Sequence, residues 1–258
     1  MKLTYIEWPR FKDKISAFTT TRAGGVSDTP FKSLNLSFTV GDSKENVIKN
    51  RKILFKDQNL SPENVVIVHQ YHSDVFSEVT QKDAGKGVND VESGVRADGL
   101  FTTEKNLALG IFHADCVPIF IYVPSISLVG IIHAGEIGSF SKITRKAIAK
   151  IKETYKIKPT EIYAFIGPSS HFSHRIITKD RATEILNSED KKYGIVKLIN
   201  DKYNLDLPLF NFLQLRDEGV PRENIDISEY CTYENPALFF SYARENKTGR
   251  NMSFIKIK

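Results

Sequence analysis

Residues 107–135 read LALGIFHADCVPIFIYVPSISLVGIIHAG and contain three near-continuous apolar runs. The runs cover residues 107–112, 117–123 and 128–133, and short polar breaks separate them. Strands that are buried on both faces have this pattern, because neither face of such a strand has to be polar. We therefore expect the three runs to form strands of one core sheet.

Strand and helix patterns continue on the N-terminal side of this centre. Residues 15–20 and 65–68 are β-branched and apolar, and we predict a strand at each. A helix is predicted at residues 47–55, because Asp42 with Glu45 resembles the capped start of a helix just before it. Residues 82–96 are rich in Gly, Asp, Asn and Lys, which indicates a mobile loop.

The C-terminal side alternates in the same way. Apolar positions at helical spacing predict a helix at residues 143–155, capped by Ser139 or Ser141. Asp206 and Pro208 open a second helix. Further strands are expected at residues 162–166, 225–228, 238–242 and 252–257. Because strands and helices mix without strict βαβ alternation, we predict an α+β fold with mixed central sheets flanked by helices, in a single domain over residues 1–258.

Composition excludes several classes of protein. Hydrophobic residues make up 41% and charged residues 26%, the balance of an ordinary globular protein. Charges interrupt the apolar stretches of the N-terminus, so neither export nor membrane insertion is expected. Two cysteines, Cys116 and Cys231, argue against a disulfide-stapled secreted scaffold and for the cytoplasm. The net charge of +5 comes from scattered lysines without interleaved aromatics, so we expect anionic small molecules such as phosphate, not nucleic acid.

Histidine is concentrated in one part of the chain, since all six lie between residues 69 and 174. His72, Cys116 and His133 each lie at the end of a predicted strand, where clefts commonly form. Two imidazoles and one thiolate suit zinc, and three protein ligands leave a fourth position for water, as in catalytic sites. Their spacing matches no short zinc motif, so the spacing alone does not establish a metal site.

Two other interpretations of these residues remain open. Cys116 could act as a nucleophile with His133 or His72 as its base and Asp115 as the orienting group, the composition of a cysteine hydrolase or amidase. A buried cysteine is also often no more than a small apolar side chain, and a histidine at a strand end a hydrogen-bonded surface residue.

Short motifs follow one another in a specific order along nearly the whole chain. They are TRAGGVS (21–27), SLNL (33–36), GD (41–42), NR (50–51), QYH (70–72), ADG (97–99), ADCVP (114–118), HAG (133–135), IGP (166–168), CT (231–232), FFSY (239–242) and TGR (248–250). In this order they resemble the YfiH/LACC1 family. That family has been described as laccase-domain or multicopper polyphenol oxidase proteins and is now regarded as purine nucleoside phosphorylases.

The resemblance implies a metal site and a chemistry. His72, Cys116 and His133 fall on the family's zinc ligands, with copper as the alternative ion. The implied reactions are phosphorolysis of adenosine, inosine, guanosine and methylthioadenosine, together with deamination of adenosine, so the partners are purine nucleosides and phosphate. Deamination needs a water activated for attack at C6 of the purine, which is chemistry that zinc supplies, and Asp115 or Glu136 would shuttle protons.

Phosphorolysis also needs an anion-binding group near the ribose. Arg22 is one candidate, because the adjacent Gly24-Gly25 lets backbone N–H groups approach a phosphate. Arg250 in the last motif is the second candidate for binding substrate or phosphate. His69 falls outside the ligand pattern, and a structural role is expected for it.

The chain departs from the family pattern next to the expected site. HAGEIG at residues 133–138 stands where the family usually has HAGWRG, so an aromatic ring and a cation are lost at Glu136 and Ile137. Residues 169–174, which include His171 and His174, diverge as well, and Ala243 replaces a common arginine. These changes motivate a second alternative, a binding protein with reduced catalysis, beside a cysteine-dependent amidase acting on a cell-wall precursor.

One further departure concerns His113, which replaces the family's usual threonine before ADC. Strand alternation places His113 and Asp115 on the face opposite Cys116. A role of His113 as a fourth metal ligand would therefore require a bulge near Pro118.

Overall fold

The computed structural model describes residues 3–258. The strands are β1 (Tyr5–Glu7), β2 (Ile15–Thr20), β3 (Val65–His69), β4 (Phe76–Glu78), β5 (Val95–Arg96), β6 (Gly99–Thr102), β7 (Ala108–His113), β8 (Val117–Val123), β9 (Leu128–Ala134), β10 (Tyr163–Ile166), β11 (Ile176–Ile177), β12 (Val196–Ile199), β13 (Lys202–Leu205), β14 (Ile225–Ile227) and β15 (Asn251–Ile257). The α-helices are α1 (Lys44–Asp57), α2 (Glu136–Phe140), α3 (Ile143–Tyr155), α4 (Lys179–Asn187), α5 (Leu207–Asp217) and α6 (Tyr242–Glu245). None of the helices within residues 3–258 combines the length and the apolar composition needed to cross a membrane.

The strands form two six-stranded sheets and one three-stranded sheet. The first sheet has the order β1-β2-β15-β7-β3-β5, and the second has the order β14-β10-β8-β9-β6-β4. The small third sheet has the order β11-β13-β12. Parallel and antiparallel pairs occur in both large sheets. The predicted α+β class, with mixed sheets flanked by helices, is confirmed, while the domain boundary at residue 1 lies outside the described residues.

The two large sheets pack face to face, with helices on the outside. Side chains of both sheets, including Leu109 of β7 and Phe120 of β8, share one buried cluster between them. The other face of the second sheet packs against α3 and α5, and the other face of the first sheet packs against α1. Both sheets are thus covered on both faces, which explains why their strands read as continuous apolar runs.

The strand β7 does not lie in the same sheet as β8 and β9, so the prediction of one core sheet from residues 107–133 is wrong. β7 pairs with β15 and β3 in the first sheet, whereas β8 pairs with β9 and β10 in the second. The chain crosses between the sheets at residues 114–116, where Asp115 has a φ of 89°. A local apolar pattern cannot distinguish the two sheets, because both are buried on both faces.

Most of the other predicted elements are confirmed. The strands expected at residues 15–20, 65–68, 162–166, 225–228 and 252–257 match β2, β3, β10, β14 and β15 within two residues. The helices expected at residues 47–55 and 143–155 match α1 and α3. Asp206 caps α5 as expected, since its side chain accepts a hydrogen bond from the N–H of Leu209.

Three local predictions are wrong. Residues 238–242 form no strand but turns that lead into α6, and the apolar side chains Phe239 and Phe240 are buried without strand pairing. Ser139 lies inside α2, so neither it nor Ser141 caps α3, whose preceding residue has no capping side chain. Helix α1 is capped by Ser43 rather than Asp42. In each of these three places burial or local turn geometry determined the structure, and the hydrophobic pattern of the sequence shows neither.

Candidate functional site

The side chains of His72, Cys116 and His133 converge at one end of the sheet sandwich, and we call them the central donor group. Their ligand atoms all lie within 4.8 Å of one another. His72 follows β3 with a φ of 60°, Cys116 lies in the crossing between β7 and β8, and His133 lies near the end of β9. A Cβ at Gly135 would lie 3.1 Å from the His72 ring, 3.2 Å from Cys116 Sγ and 3.4 Å from the His133 ring. A side chain at residue 135 would therefore require the three donor side chains to move by a few tenths of an ångström.

A completely buried carboxylate, Asp98, orients two members of this group. His133 Nδ1–H donates to Asp98 Oδ1 at 2.9 Å, and the backbone N–H of His72 donates to the same oxygen at 3.1 Å. The other oxygen accepts from the N–H and the hydroxyl of Ser73 at 2.6 and 2.7 Å. Burial opposes ionisation, but the hydrogen bond and charge of His133 and the donors of Ser73 outweigh it and hold the pKa of Asp98 below its usual value.

Sequence reasoning missed this role of Asp98, although the residue lies within the ADG motif. The sequence predicts the orienting role for Asp115, and the structure places Asp98 there instead. The carboxylate of Asp115 accepts from the Thr232 hydroxyl and the Ala243 N–H, both at 2.7 Å. The missing signal is long-range, because Asp98 immediately precedes the strand β6, which pairs with the strand β9 that carries His133.

Cys116 and His133 shift each other's pKa. Burial alone would raise the pKa of Cys116, but the charge and hydrogen bond of His133, a hydrogen bond from His72 and the charge of Arg175 lower it to about 5. Burial alone would lower the pKa of His133, but Cys116 and Asp98 raise it to about 9. In the metal-free protein this arrangement favours a thiolate beside an imidazolium. A divalent cation would bind the thiolate and displace the proton of the imidazole.

A cavity of about 400 Å³ opens onto the central donor group. The rings of Phe38, Phe112 and Tyr242 line it, together with the guanidinium groups of Arg51 and Arg250. Arg51 lies 4.2 Å from the Phe38 ring centre and 5.1 Å from that of Phe112, and it donates hydrogen bonds to backbone carbonyls. The volume and the mixed aromatic and cationic walls suit a small-molecule ligand.

His113 also lines this cavity but is not part of the central donor group. Its Nε2 is hydrogen-bonded to Ser253 Oγ at 2.8 Å, and its buried Nδ1 has no partner within residues 3–258. Burial, with the charges of His133 and Arg250, lowers the pKa of His113 to about 3, so the imidazole is neutral. The geometry therefore favours a hydrogen-bonding role for His113 over metal ligation.

The two residues that depart from the HAGWRG pattern do not line the cavity. Glu136 is the first residue of α2, and its carboxylate lies 2.9 Å from Arg181 Nε and 3.7 Å from an Nη of Arg175. Ile137 is 63% exposed to solvent. Neither residue is among those that line the 400 Å³ cavity. Glu136 and Ile137 therefore lie beside the site, and neither is one of the residues that form the cavity wall.

The two candidate phosphate-binding arginines lie in different places. Arg250 lines the cavity and donates through Nη1 to the carbonyls of Thr248 and Gly249 at 3.0 and 3.1 Å. Burial lowers its pKa, which the negative charges of Cys116 and Asp115 partly oppose. Its charge therefore faces the same space as the donors.

Arg22 lies outside that cavity and lines a separate surface pocket. It forms an ion pair with Glu245 at 2.6 Å and lies 4.6 Å from the ring centre of Phe240. It also donates to the backbone carbonyls of Lys32 and Pro236. These contacts tie residues 22–33 to the C-terminal segment, which favours a structural role.

The chain is similar in sequence and in structure to several known proteins. A family model described as multi-copper polyphenol oxidoreductase laccase matches residues 16–258. The purine nucleoside phosphorylase YlmD of Bacillus subtilis (strain 168) is 38% identical over 251 residues, which is 96% of this chain and 90% of that protein. The crystal structure of Bacillus licheniformis hypothetical protein YfiH superposes with a TM-score of 0.93 at 33% identity, over 99% of this chain and 97% of that one. YlmD from Geobacillus stearothermophilus superposes at 0.89 with 34% identity, over 95% and 92%.

Proposed function

Because the chain belongs to the multi-copper polyphenol oxidoreductase laccase family, we propose that it is a zinc-dependent purine nucleoside phosphorylase. The observation that carries the proposal is the central donor group, whose ligand atoms lie within 4.8 Å of one another. The group opens onto a cavity that Arg250 also lines. Curated relatives that are named for this activity support the choice of reaction.

The residues of the central donor group fit zinc. Two imidazoles and one thiolate are donors that zinc prefers, and three protein ligands are the usual number in its catalytic sites. The hydrogen bond from His133 to Asp98 is the kind of outer contact that orients a metal-ligating histidine. When bound, zinc supplies Lewis-acid activation of a water or of a substrate atom. The same donors also accept copper, so the ion has to be identified by metal analysis.

The cavity walls can hold the two substrates. Phosphorolysis replaces the C1′–N9 bond of the nucleoside by a C1′–O bond to phosphate, and the base leaves with the electron pair. Arg250 provides a fixed positive charge for the phosphate. The rings of Phe38, Phe112 and Tyr242 provide surfaces on which a purine can stack.

His113 can hydrogen-bond to the substrate. If the Ser253 hydroxyl donates to Nε2, the neutral ring carries its proton on Nδ1, which has no protein partner within the described residues. The side chain of His113 lines the cavity and keeps a ring nitrogen that no protein group within the described residues uses. Together with the position of Ile137 at the surface, this supports catalysis over the alternative of a binding protein.

The proposal includes deamination of adenosine and phosphorolysis of methylthioadenosine. Three donors that hold a zinc ion would leave it able to activate a water, which supports deamination. Proton transfer by Asp115 or Glu136 stays a prediction. The hydrogen bonds that Asp115 accepts from Thr232 and Ala243 favour a positioning role for it.

Incubation with adenosine or inosine, with and without phosphate, tests the proposed reactions. Release of the base and formation of ribose 1-phosphate only with phosphate is the expected result for both nucleosides. Inosine formed from adenosine without phosphate would establish deamination, and no turnover of any nucleoside would contradict the proposal. Protein purified without a histidine tag should bind one zinc ion fewer per chain after the substitution Cys116→Ala, with far-UV circular dichroism as the control for folding.

A cysteine-dependent amidase is the second candidate, because Cys116, His133 and Asp98 have the arrangement of a nucleophile, a base and an orienting carboxylate. Metal removal separates the two mechanisms. Nucleoside turnover that is lost on chelation and restored by zinc supports the phosphorylase. Amide hydrolysis that persists after chelation and is blocked by added zinc would support the amidase.

A further inference from the structure

A second group of metal-binding side chains lies away from the cavity. The ligand atoms of His171, Cys231 and Glu234 all lie within 4.8 Å of one another, and we call these residues the distal donor group. It shares no residue with the central donor group, and its members do not line the 400 Å³ cavity. The segment that contributes His171 is the one that departs from the family pattern.

Main-chain hydrogen bonds hold the two contributing segments together. Ser169 and Cys231 form an isolated parallel bridge, and the N–H of Thr232 donates to the carbonyl of Ser169 at 3.0 Å. The N–H of His171 donates to Cys231 Sγ at 3.3 Å. The N–H and the side-chain amide of Asn235 both donate to the Cys231 carbonyl, which closes the turn that carries Glu234. Backbone pairing therefore sets the convergence of the donors.

The donors match a zinc-like ion in softness and in charge. Cys231 is completely buried, His171 is partly buried and Glu234 is exposed, so the thiol lies inside and the carboxylate faces solvent. A thiolate, a neutral imidazole and a carboxylate together carry two negative charges, which one divalent cation neutralises. Thiolate and imidazole favour zinc over calcium or magnesium, which prefer oxygen ligands alone. Solvent can supply the fourth ligand.

His174 orients the carboxylate of this group. Its Nε2–H donates to Glu234 Oε1 at 2.7 Å, and its ring stacks on Tyr233 with 4.3 Å between ring centres. Hydrogen bonds of this kind to ligating carboxylates are typical of metal sites. His171 and His174 thus have separate tasks at the two ends of one short turn, the first as a donor and the second as support.

We propose that the distal donor group is a second zinc site that braces the turn carrying Cys116. The N–H of Ser170 donates to the Asp115 carbonyl at 3.0 Å, and the hydroxyl of Thr232 donates to Asp115 Oδ1 at 2.7 Å. Ser170 and Thr232 are each adjacent in sequence to a distal donor. On binding, the thiol of Cys231 gives its proton to solvent, and no electron is transferred. The ion joins two segments that both hold Asp115, the neighbour of Cys116.

The cysteine content of the chain permits a direct test with cobalt, a spectroscopic substitute for zinc. Only two cysteines occur, so in the variant Cys116→Ala any thiolate-to-cobalt absorption must come from Cys231. Metal-free Cys116→Ala protein titrated with Co²⁺ should develop this absorption up to one equivalent and lose it when Zn²⁺ is added. Adding Cys231→Ala should abolish the absorption, and adding His171→Ala or Glu234→Gln should weaken Co²⁺ binding at least about tenfold.

His69→Ala in the same background is the matched control, because His69 belongs to neither donor group, and it should leave Co²⁺ binding unchanged. The proposal is overturned if Cys116→Ala protein with a native circular dichroism spectrum shows no thiolate-to-cobalt absorption. It is overturned equally if His171→Ala and Glu234→Gln leave the absorption and the affinity unchanged.

Zinc content provides an independent measurement that does not require Cys116→Ala to fold. Untagged wild-type protein saturated with zinc and passed through a desalting column should retain two ions per chain, and His171→Ala should retain one. A wild-type value of one ion that His171→Ala does not change would overturn the second site. Because the central donor group is intact in His171→Ala, this result is independent of whether the protein is a phosphorylase.

Discussion

Replacing Asp98 by asparagine tests the network behind the central donor group. Oδ1 of Asp98 accepts from the His72 N–H and from His133 Nδ1–H, and Oδ2 accepts from the Tyr71 N–H and from both donors of Ser73. An amide of the same shape offers an NH₂ group where one oxygen stood, so at least two buried donors lose their acceptor. Each costs about 1–3 kcal/mol, and we expect the free energy of unfolding to fall by about 2–6 kcal/mol. Zinc affinity should fall roughly 10–100-fold.

Denaturation of the metal-free protein by guanidinium chloride measures the first quantity, and competition with a chelator measures the second. Asp74→Asn is the matched control, because Asp74 pairs with Lys146 at the surface and should contribute at most about 1 kcal/mol. A value for Asp98→Asn within about 1 kcal/mol of wild type, with unchanged zinc affinity, would refute the reasoning.

The pH dependence provides a second check on the same substitution. The pKa of Asp98 is lower in the folded protein than its usual value of about 3.9. Its contribution to stability is therefore present above that value and is lost as the pH falls through the lower folded pKa. Wild type should lose more stability than Asp98→Asn when the pH is lowered from about 5 to about 2. Equal losses in the two proteins would contradict this assignment.

Three further predictions concern the same region. Gly135→Ala should weaken zinc binding about tenfold, because the added methyl group lies 3.1–3.4 Å from the three donor side chains. An unchanged zinc affinity in competition with a chelator would contradict this close packing. In the metal-free protein the rate of Cys116 alkylation, measured by mass spectrometry between pH 4 and 9, should follow a pKa of about 5. The midpoint should shift upward in His133→Asn. A wild-type midpoint near the usual thiol pKa of about 8.5 would show that no thiolate is stabilised. Arg250→Ala should raise the KM for phosphate at least about tenfold in steady-state kinetics. Arg22→Ala should lower the melting temperature and leave this KM unchanged. A raised KM in Arg22→Ala but not in Arg250→Ala would assign phosphate binding to Arg22.

Local sequence patterns were sufficient for elements whose interior is apolar. The strands β8 and β9 were predicted nearly to the residue, because burial on both faces gives a continuous apolar run. The helix α3 was predicted to the residue, because burial on one face gives a helical period that short windows show. The small sheet of β11, β12 and β13 and the helix α4 were not predicted. Their strands are half exposed, so their hydrophobic pattern is weak.

The departures from the family pattern could not be weighed from sequence. Glu136 and Ile137 follow His133 by only three and four residues, which suggested a loss at the site itself. In the structure α2 begins at Glu136, and neither of the two side chains lines the cavity. The third departure, His113, lines that cavity and has a buried ring nitrogen without a partner within the described residues.

The sequence by itself determined the fold class, the family and the three members of the central donor group, because these follow from apolar periodicity and from ordered motifs. Only the tertiary structure decided that β7 and β8 lie in different sheets and that Asp98 orients His133. It alone brought Cys231 to His171. The paired residues Asp98 and His133 are 35 positions apart, and His171 and Cys231 are 60 apart. The physical reason is that strand pairing and sheet packing join distant segments, whereas a sequence pattern reports only the burial of each segment by itself.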